Sequence, residues 1–184
     1  MPDAAALRIA VAQLKPVLGD SEGNLALARK TLRTATGQGA DVLVFPELFI
    51  SGYPPEDLVL KHAFTDACRS AIEALAEDTD GDGPAVLIGT PWREDDKVYN
   101  AVACLDAGAV TALRYKVALP NYGVFDEMRV FASGPMPGPI AVRGVRIGVP
   151  ICEDIWVEDV VECLAETGAE LLIVPNGSPY DQFK

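Results

Sequence analysis

The sequence contains a single histidine, His62, and no two cysteines in the close C-x-x-C spacing of many metal sites. No metal site is therefore predicted. His62 would be the only base for a Ser-His-Asp triad, and it falls in a stretch with a helical pattern, which argues against such a triad.

Long apolar runs are also absent. The longest charge-free stretch, Val130 to Val142, contains three prolines, whereas a membrane-spanning helix needs about 18 consecutive apolar residues. No transmembrane helix is predicted.

Basic side chains are scarce: 15 lysines and arginines stand against 27 acidic residues, which gives a formal net charge of −12. Without a basic stripe, the chain is not expected to bind nucleic acid or an anionic membrane surface. The N-terminal stretch MPDAAALRIAVAQL carries an acid where a secretion signal would carry basic residues. We expect a cytoplasmic protein whose partner is a small molecule or another protein.

The apolar patterning of the 184 residues predicts one layered α/β domain with a mixed sheet. Helically spaced apolar residues indicate three helices, which run through Leu25, through Ala63 and through Val160. Asp20 and Ser21 are the candidate caps of the first helix. The seven predicted strands are Leu7 to Leu14, Asp41 to Phe45, Ala85 to Gly89, Val98 to Leu105, Val110 to Tyr115, Val145 to Pro150 and Leu171 to Val174.

Glycine-containing turns and one loop punctuate the second half of the chain. Asp106-Ala107-Gly108 and Arg143-Gly144 are candidate hairpin turns, and the Pro/Gly segment Ser133 to Pro139 is predicted to be a surface loop. No predicted element follows the last strand before the chain stops at Lys184. We therefore expect residues 1–184 to be an incomplete domain.

Three predicted strands end in conspicuous polar residues, which are Glu47, Lys116 and Cys152. Ligands in α/β sheets bind at the carboxyl ends of strands, so a carboxylate, an amine and a thiol would meet there. Such a set suits nucleophilic attack on an amide or nitrile carbon. The thiol would attack, Glu47 would act as base and then acid, and Lys116 would stabilise the oxyanion.

Structural explanations compete with each of these assignments. Glu153 and Asp154, beside Cys152, would raise the pKa of its thiol and favour an inert residue. Glu47 could support a helix terminus or lie in a solvated loop, and Lys116 could belong to a solvated face. The other cysteines fall in apolar patterns and are predicted to be core residues; they are Cys68, Cys104 and Cys163.

The same segments resemble the nitrilase, or carbon–nitrogen hydrolase, superfamily. Its Glu-Lys-Cys triad matches Glu47 in VFPELFISGYPPEDL, Lys116 in RYKVALPNYGVFDEMRVF and Cys152 in RIGVPICEDIW. The N-terminal RIAVAQLKPVLGDSEGNLALA is similar to the first strand and helix of the family. The resemblance covers essentially the whole chain and implies a four-layer α-β-β-α sandwich.

Within the superfamily, the flanking residues are most similar to the amidase domain of glutamine-dependent NAD synthetases. That resemblance implies hydrolysis of L-glutamine, with ammonia passed to a synthetase domain that would use ATP and Mg²⁺ and lies outside these residues. It also implies homo-oligomers of the full-length protein. It makes Glu127 a second acid that orients the lysine and the substrate. The positions that it assigns to glutamine binding are Tyr53, Tyr122, Glu153 and Ser178.

Two alternatives to a glutamine amidase remain open. The chain could be a stand-alone amidase of the superfamily that acts on another small amide. It could also be a noncatalytic α/β scaffold that serves as an interaction domain. Zinc or nucleotide binding by these residues ranks lowest, because the motifs of both are absent.

Overall fold

The computed structural model describes residues 6–178, which form two β-sheets and three α-helices. The first sheet has the strand order β1-β2-β3-β4-β5 and the second the order β6-β7-β8. The strands of the first sheet are β1 (Ile9–Val11), β2 (Val42–Val44), β3 (Ala85–Glu94), β4 (Lys97–Asp106) and β5 (Ala109–Tyr115). Those of the second are β6 (Ile140–Val142), β7 (Val145–Gly148) and β8 (Leu171–Leu172).

The helices are α1 (Ser21–Gly37), α2 (His62–Glu77) and α3 (Glu158–Glu166). The predicted cap of α1 is confirmed, since the Asp20 side chain accepts a hydrogen bond from the backbone N–H of Gly23. Both α1 and α2 bury their apolar stripes on one face of the first sheet, and the second sheet packs on its other face. Helix α3 lies on the far side of the second sheet, where Leu164 is close to Gly148. The four layers α-β-β-α that the resemblance implies are therefore confirmed.

The strand directions in the first sheet place the carboxyl ends of β1, β2, β3 and β5 at the same side of the sheet. β1, β2 and β3 are parallel, whereas β4 is antiparallel to β3 and β5 is antiparallel to β4. β5 therefore runs in the same direction as β2. Because of this, Glu47, shortly after β2, and Lys116, directly after β5, lie at the same edge.

All seven predicted strands exist, but their lengths differ and an eighth was not predicted. β6 was missed because Ile140–Val142 is short and follows a proline-rich stretch. The prediction ended β3 at Gly89, yet this strand pairs with β4 as far as Glu94. The predicted hairpin turns are confirmed, with positive φ at Ala107-Gly108 and at Arg143-Gly144. In residues 6–178, no helix is long and apolar enough to cross a membrane.

Gly89 lets the loop that carries Glu47 cross closely over β3. A Cβ atom at this position would lie 2.5 Å from the carbonyl oxygen of Pro46 and 2.7 Å from the carbonyl carbon of Glu47, and it would also meet the amide nitrogen of Leu48. These neighbours are backbone atoms, which cannot rotate away as a side chain could. The loop is further tied to β3 by the hydrogen bond from Ile50 N to Gly89 O, at 3.1 Å.

We predict that Gly89→Ala lowers the free energy of unfolding by about 3 kcal/mol, because the methyl group forces the Glu47 loop away from the sheet. Urea unfolding followed by circular dichroism measures the change. Gly37→Ala is the matched control, since a Cβ there meets nothing within 4 Å; it should be neutral or stabilise by up to about 1 kcal/mol. Equal stabilities of the two variants would contradict the prediction.

Candidate active site

Lys116 is fully buried between two carboxylates. Its Nζ donates to Glu47 Oε1 at 2.7 Å and to Glu127 Oε1 at 2.8 Å. The side chains of Lys116 and Glu47 have no exposed surface, and that of Glu127 is 7% exposed. A buried charge is tolerated only when it is paired and hydrogen-bonded. The three residues therefore form one mutually dependent cluster, which we call the Lys116 cluster.

Both oxygens of Glu47 are fixed by additional donors from distant parts of the chain. Asn100 Nδ2 donates to Glu47 Oε1 at 2.8 Å and makes a longer contact of 3.4 Å to Glu127 Oε2. The backbone N–H of Gly177 donates to Glu47 Oε2 at 3.0 Å. Among the described residues, the buried Asn100 Oδ1 has no hydrogen-bond partner. The Asn100 amide group therefore donates to the two carboxylates, although its own oxygen has no hydrogen-bond partner within residues 6–178.

Burial and ion pairing shift the pKa values of the Lys116 cluster in opposite directions. Burial alone would lower the pKa of Lys116, but Glu47 and Glu127 outweigh it and the pKa is raised. Burial raises the pKa of Glu127, the nearby Lys116 lowers it, and Glu47 raises it, with a net increase. Lys116 is therefore held as an ammonium, and Glu127 is the carboxylate of the cluster that gains a proton more readily than usual.

Cys152 occupies a strained position at the start of a 3₁₀ turn, Cys152–Trp156, that follows β7. Its φ of 48° lies in the left-handed region, which non-glycine residues seldom adopt. The hydrogen bond from Cys152 N to Pro175 O, at 3.0 Å, holds this conformation. Strain of this kind clusters at functional sites, where the surroundings over-determine it.

The Cys152 thiol is a weak acid in this environment. Burial raises its pKa to about 12, the Glu47 carboxylate adds to that effect, and Lys116 opposes it. The sequence-based expectation that Glu153 and Asp154 raise this pKa has the right direction but names the wrong principal cause. At neutral pH the thiol is protonated, so it needs a base at the moment of attack.

Asn176 connects the thiol to one of the predicted substrate positions. Its Oδ1 lies 3.3 Å from Cys152 Sγ and accepts hydrogen bonds from Ser178 N and Ser178 Oγ, both at 2.8 Å. The next residue, Gly177, contacts Glu47. The loop after β8 therefore touches both the thiol and the carboxylate that would act on it.

The four predicted substrate positions lie beside the Lys116 cluster and line two adjacent cavities. Tyr53 and Ser178 line a cavity of about 830 Å³ together with Glu47 and Glu127. Burial, and then the carboxylates of Glu47 and Glu127, raise the pKa of Tyr53, so its hydroxyl stays a donor. Tyr122 and Glu153 line the second cavity, of about 650 Å³, and the Tyr122 hydroxyl contacts the Glu153 oxygens at 2.9 and 3.0 Å.

The structure brings the predicted residues together in two groups and adds two that sequence reasoning missed. Asn100 and Asn176 were not predicted. The only signal for Asn100 is a polar residue within the apolar strand VYNAVACL. Asn176 lies in the segment NGSPY after β8, whose Pro179 and Tyr180 lie outside the described residues. Cys68 and Cys104 are buried as predicted, but the prediction was wrong for Cys163, which is only half-buried, since the buried residues of α3 are Val160 and Leu164.

Comparison with known proteins relates most of the chain to one family and to part of larger enzymes. The carbon-nitrogen hydrolase family matches residues 8–182. Glutamine-dependent NAD(+) synthetase of Rhodobacter capsulatus is 45% identical over 177 residues, which are 96% of this chain and 32% of that protein. The synthetase of Thermotoga maritima is 43% identical over 95% of this chain and 30% of its own length. The chain thus spans about a third of the length of these curated relatives.

Solved structures that resemble this chain include NAD synthetases and amidases. Glutamine-dependent NAD+ synthetase from Acinetobacter baumannii superposes with a TM-score of 0.88 at 35% identity, over 94% of this chain and 32% of that one. An amidase variant from Nesterenkonia sp. AN1 superposes with a TM-score of 0.82 at 30% identity, over 96% of this chain and 66% of that one. That structure shows the acetamide moiety of fluoroacetamide added covalently at the active site cysteine of the amidase.

We predict that Lys116→Met destabilises the fold by about 3–5 kcal/mol near neutral pH, because it leaves two buried carboxylates without their cation. Lys116 lowers the pKa of Glu127, so without it the folded-state pKa of Glu127, already raised by burial, would rise further, and the penalty should shrink as the pH falls and Glu127 takes up a proton. Urea unfolding at neutral and at mildly acidic pH measures both effects.

The matched control is the double variant Lys116→Met with Glu127→Gln, which removes one of the two facing charges. It should recover a large part of the lost stability at neutral pH and depend less on pH than the single variant. If Lys116→Met were as stable as the unmodified chain at neutral pH, the cluster would not be a tightly coupled buried set.

Proposed function

Because this chain belongs to the carbon–nitrogen hydrolase family, we propose that residues 1–184 belong to a glutamine amidase domain in which Cys152 is the nucleophile. The observation that carries this proposal is the buried Lys116 cluster, which presents Glu47 beside the strained Cys152 turn. The names of the relatives from R. capsulatus and T. maritima support glutamine as the amide.

The first half of the proposed reaction forms a thioester and releases ammonia. The Cys152 sulfur attacks the amide carbon while its proton passes to Glu47, and the negative charge moves to the amide oxygen. An ammonium group has three N–H donors, and Lys116 directs two of them at carboxylates. We assign the third to the developing oxyanion. The C–N bond then breaks as Glu47 returns the proton to the leaving nitrogen.

The second half hydrolyses the thioester and restores the site. Glu47 takes a proton from a water molecule as the water oxygen attacks the thioester carbon, and the C–S bond then breaks. The products are glutamate and the Cys152 thiol, which regains its proton from Glu47. Glu127 and Asn100 do not react in this scheme; they keep Lys116 and Glu47 in place through the contacts described above.

The proposal extends to NAD synthesis through the relatives. We infer that the ammonia serves a synthetase that amidates deamido-NAD in the full encoded protein, as a glutamine-dependent NAD synthetase would. ATP and Mg²⁺ belong to that ligation and remain a prediction for a synthetase region. A stand-alone amidase acting on another small amide is the second candidate, supported by the structural match to the Nesterenkonia amidase.

We predict that Cys152→Ala abolishes glutamine hydrolysis and covalent labelling by a chloroketone analogue of glutamine, because both need the same sulfur. Intact-mass analysis should show one adduct on the unmodified protein, and excess glutamine should suppress it. Cys163→Ala is the matched control, since it removes a half-buried thiol on α3 that contacts Pro137 O, and the Cys163→Ala protein should still be labelled at Cys152.

The outcomes separate the candidate functions. Ammonia release from glutamine well above that from a panel of simple amides supports the glutamine amidase. Preference for another amide supports the stand-alone amidase. A folded protein that neither labels at Cys152 nor hydrolyses any amide would overturn both and leave the interaction scaffold.

We predict that Glu153 recognises the α-ammonium group of glutamine, with Tyr122 orienting its carboxylate. Glu153→Gln should raise KM for glutamine by about fivefold, which corresponds to about 1 kcal/mol for an exposed ion pair. It should not change the hydrolysis of butyramide, which lacks that ammonium group. Steady-state kinetics with both amides tests this.

Glu158→Gln, on the exposed face of α3, controls for the loss of one negative charge. If the two variants had the same KM for glutamine, Glu153 would not contact the substrate.

A further inference from the structure

Asp154 is a buried carboxylate whose hydrogen bonds all go to backbone N–H groups. It is 1% exposed. Its Oδ2 accepts from Ile151 N at 3.0 Å, and its Oδ1 accepts from Val117 N at 3.0 Å and from Ala118 N at 2.7 Å. Charge-assisted hydrogen bonds of this kind are about twice as strong as neutral ones. Asp154 therefore makes a strong cross-link between two segments of backbone.

The two cross-linked segments are those that carry the nucleophile and the cation. Ile151 directly precedes Cys152, and Val117 directly follows Lys116. Lys116 leaves the end of β5 in the first sheet, whereas Cys152 follows β7 in the second sheet. The relative position of the thiol and the ammonium therefore depends on how the two sheets are held together at this edge. The Asp154 side chain joins them there, because two of its hydrogen bonds come from the backbone after Lys116 and the third from the backbone before Cys152.

The chemistry of the position requires a carboxylate. Three N–H donors converge from two directions, and only a side chain with two acceptor oxygens can serve both directions at once. An amide of the same shape has one oxygen, so its NH₂ group would face a backbone N–H in either orientation. Burial raises the pKa of Asp154 overall, and the hydrogen bonds from Ala118, Ile151 and Val117 each oppose that increase by favouring the ionised form.

We propose that Asp154 is a positioning residue that sets the separation of the Cys152 thiol and the Lys116 ammonium. This inference rests on the proposed amide hydrolysis. Asp154 acts through the backbone on either side of it and does not touch the reacting atoms. A shift of about 1 Å between reacting groups can cost about 100-fold in rate. Weakening the cross-link should therefore slow the chemical step more than it weakens substrate binding.

The test is Asp154→Asn in the full encoded protein, measured by steady-state glutamine hydrolysis. We expect kcat to fall by about 100-fold with KM changed by less than about threefold. Asp41→Asn is the matched control: Asp41 also accepts a backbone hydrogen bond, from Arg8 N, but at the opposite end of β2 from Glu47. It should lower stability slightly and leave kcat unchanged.

A second readout separates positioning from a general loss of structure. The rate of Cys152 alkylation by fluoroacetamide should fall in Asp154→Asn at both neutral and mildly alkaline pH, in samples with unchanged circular dichroism. The reason is that Lys116, which lowers the pKa of the thiol, would then lie farther from it. A merely structural role would lower the unfolding temperature and leave the kinetics of the folded fraction intact.

If Asp154→Asn does not fold, a smaller change keeps the inference testable. Replacing Ala118 by the matching α-hydroxy acid turns its amide into an ester, which removes the N–H that makes the 2.7 Å bond and weakens Val117 O as the acceptor of the Ser133 hydroxyl. This variant should also lose kcat at constant KM. Unchanged kcat and alkylation rate in the folded variant would overturn the positioning role. Failure of the unmodified protein to hydrolyse any amide would instead overturn the proposed function.

Discussion

The arrangement of the site depends on the ammonium of Lys116, which is buried between the carboxylates of Glu47 and Glu127. These residues come from the end of β2, the end of β5 and a 3₁₀ turn, so none can move without leaving a charge unpaired in the interior. An uncompensated buried charge costs several kcal/mol, which is a large part of the stability of a domain. The fold and the site are therefore stabilised by the same contacts.

Around that cluster, the backbone does much of the positioning. Gly89 allows the Glu47 loop to approach β3, the left-handed Cys152 places the thiol at the start of its turn, and Gly177 supplies an N–H to Glu47. A Cβ atom on Gly177 would lie 3.0 Å from Glu47 Oε2 and 3.1 Å from the Tyr53 ring. The geometry therefore excludes a side chain at Gly89, and a side chain at Gly177 would require Glu47 or Tyr53 to shift by a few tenths of an ångström.

Local apolar patterns predicted a layered α/β domain, its helices and the ends of the strands that carry Glu47, Lys116 and Cys152, whereas the four-layer arrangement was implied by the family resemblance. The sequence did not predict Asn100, whose amide acts on residues far away in the chain. It also took Asp154 for a neighbour that perturbs the thiol, whereas its carboxylate binds the backbone beyond Lys116. Contacts between segments distant in sequence have no local signature, so only the folded arrangement shows them.

The protonation of the resting site also constrains how the proposed reaction can begin. The thiol has a pKa of about 12, and Glu47, its proposed base, already accepts hydrogen bonds from Lys116, Asn100 and Gly177. Transfer of the proton before substrate binds would neutralise Glu47, which pairs with Lys116, and would leave a thiolate in a buried site. The transfer becomes favourable only when the negative charge passes on to the amide oxygen. The structure therefore favours proton transfer that accompanies formation of the C–S bond, with Lys116 compensating the charge as it develops.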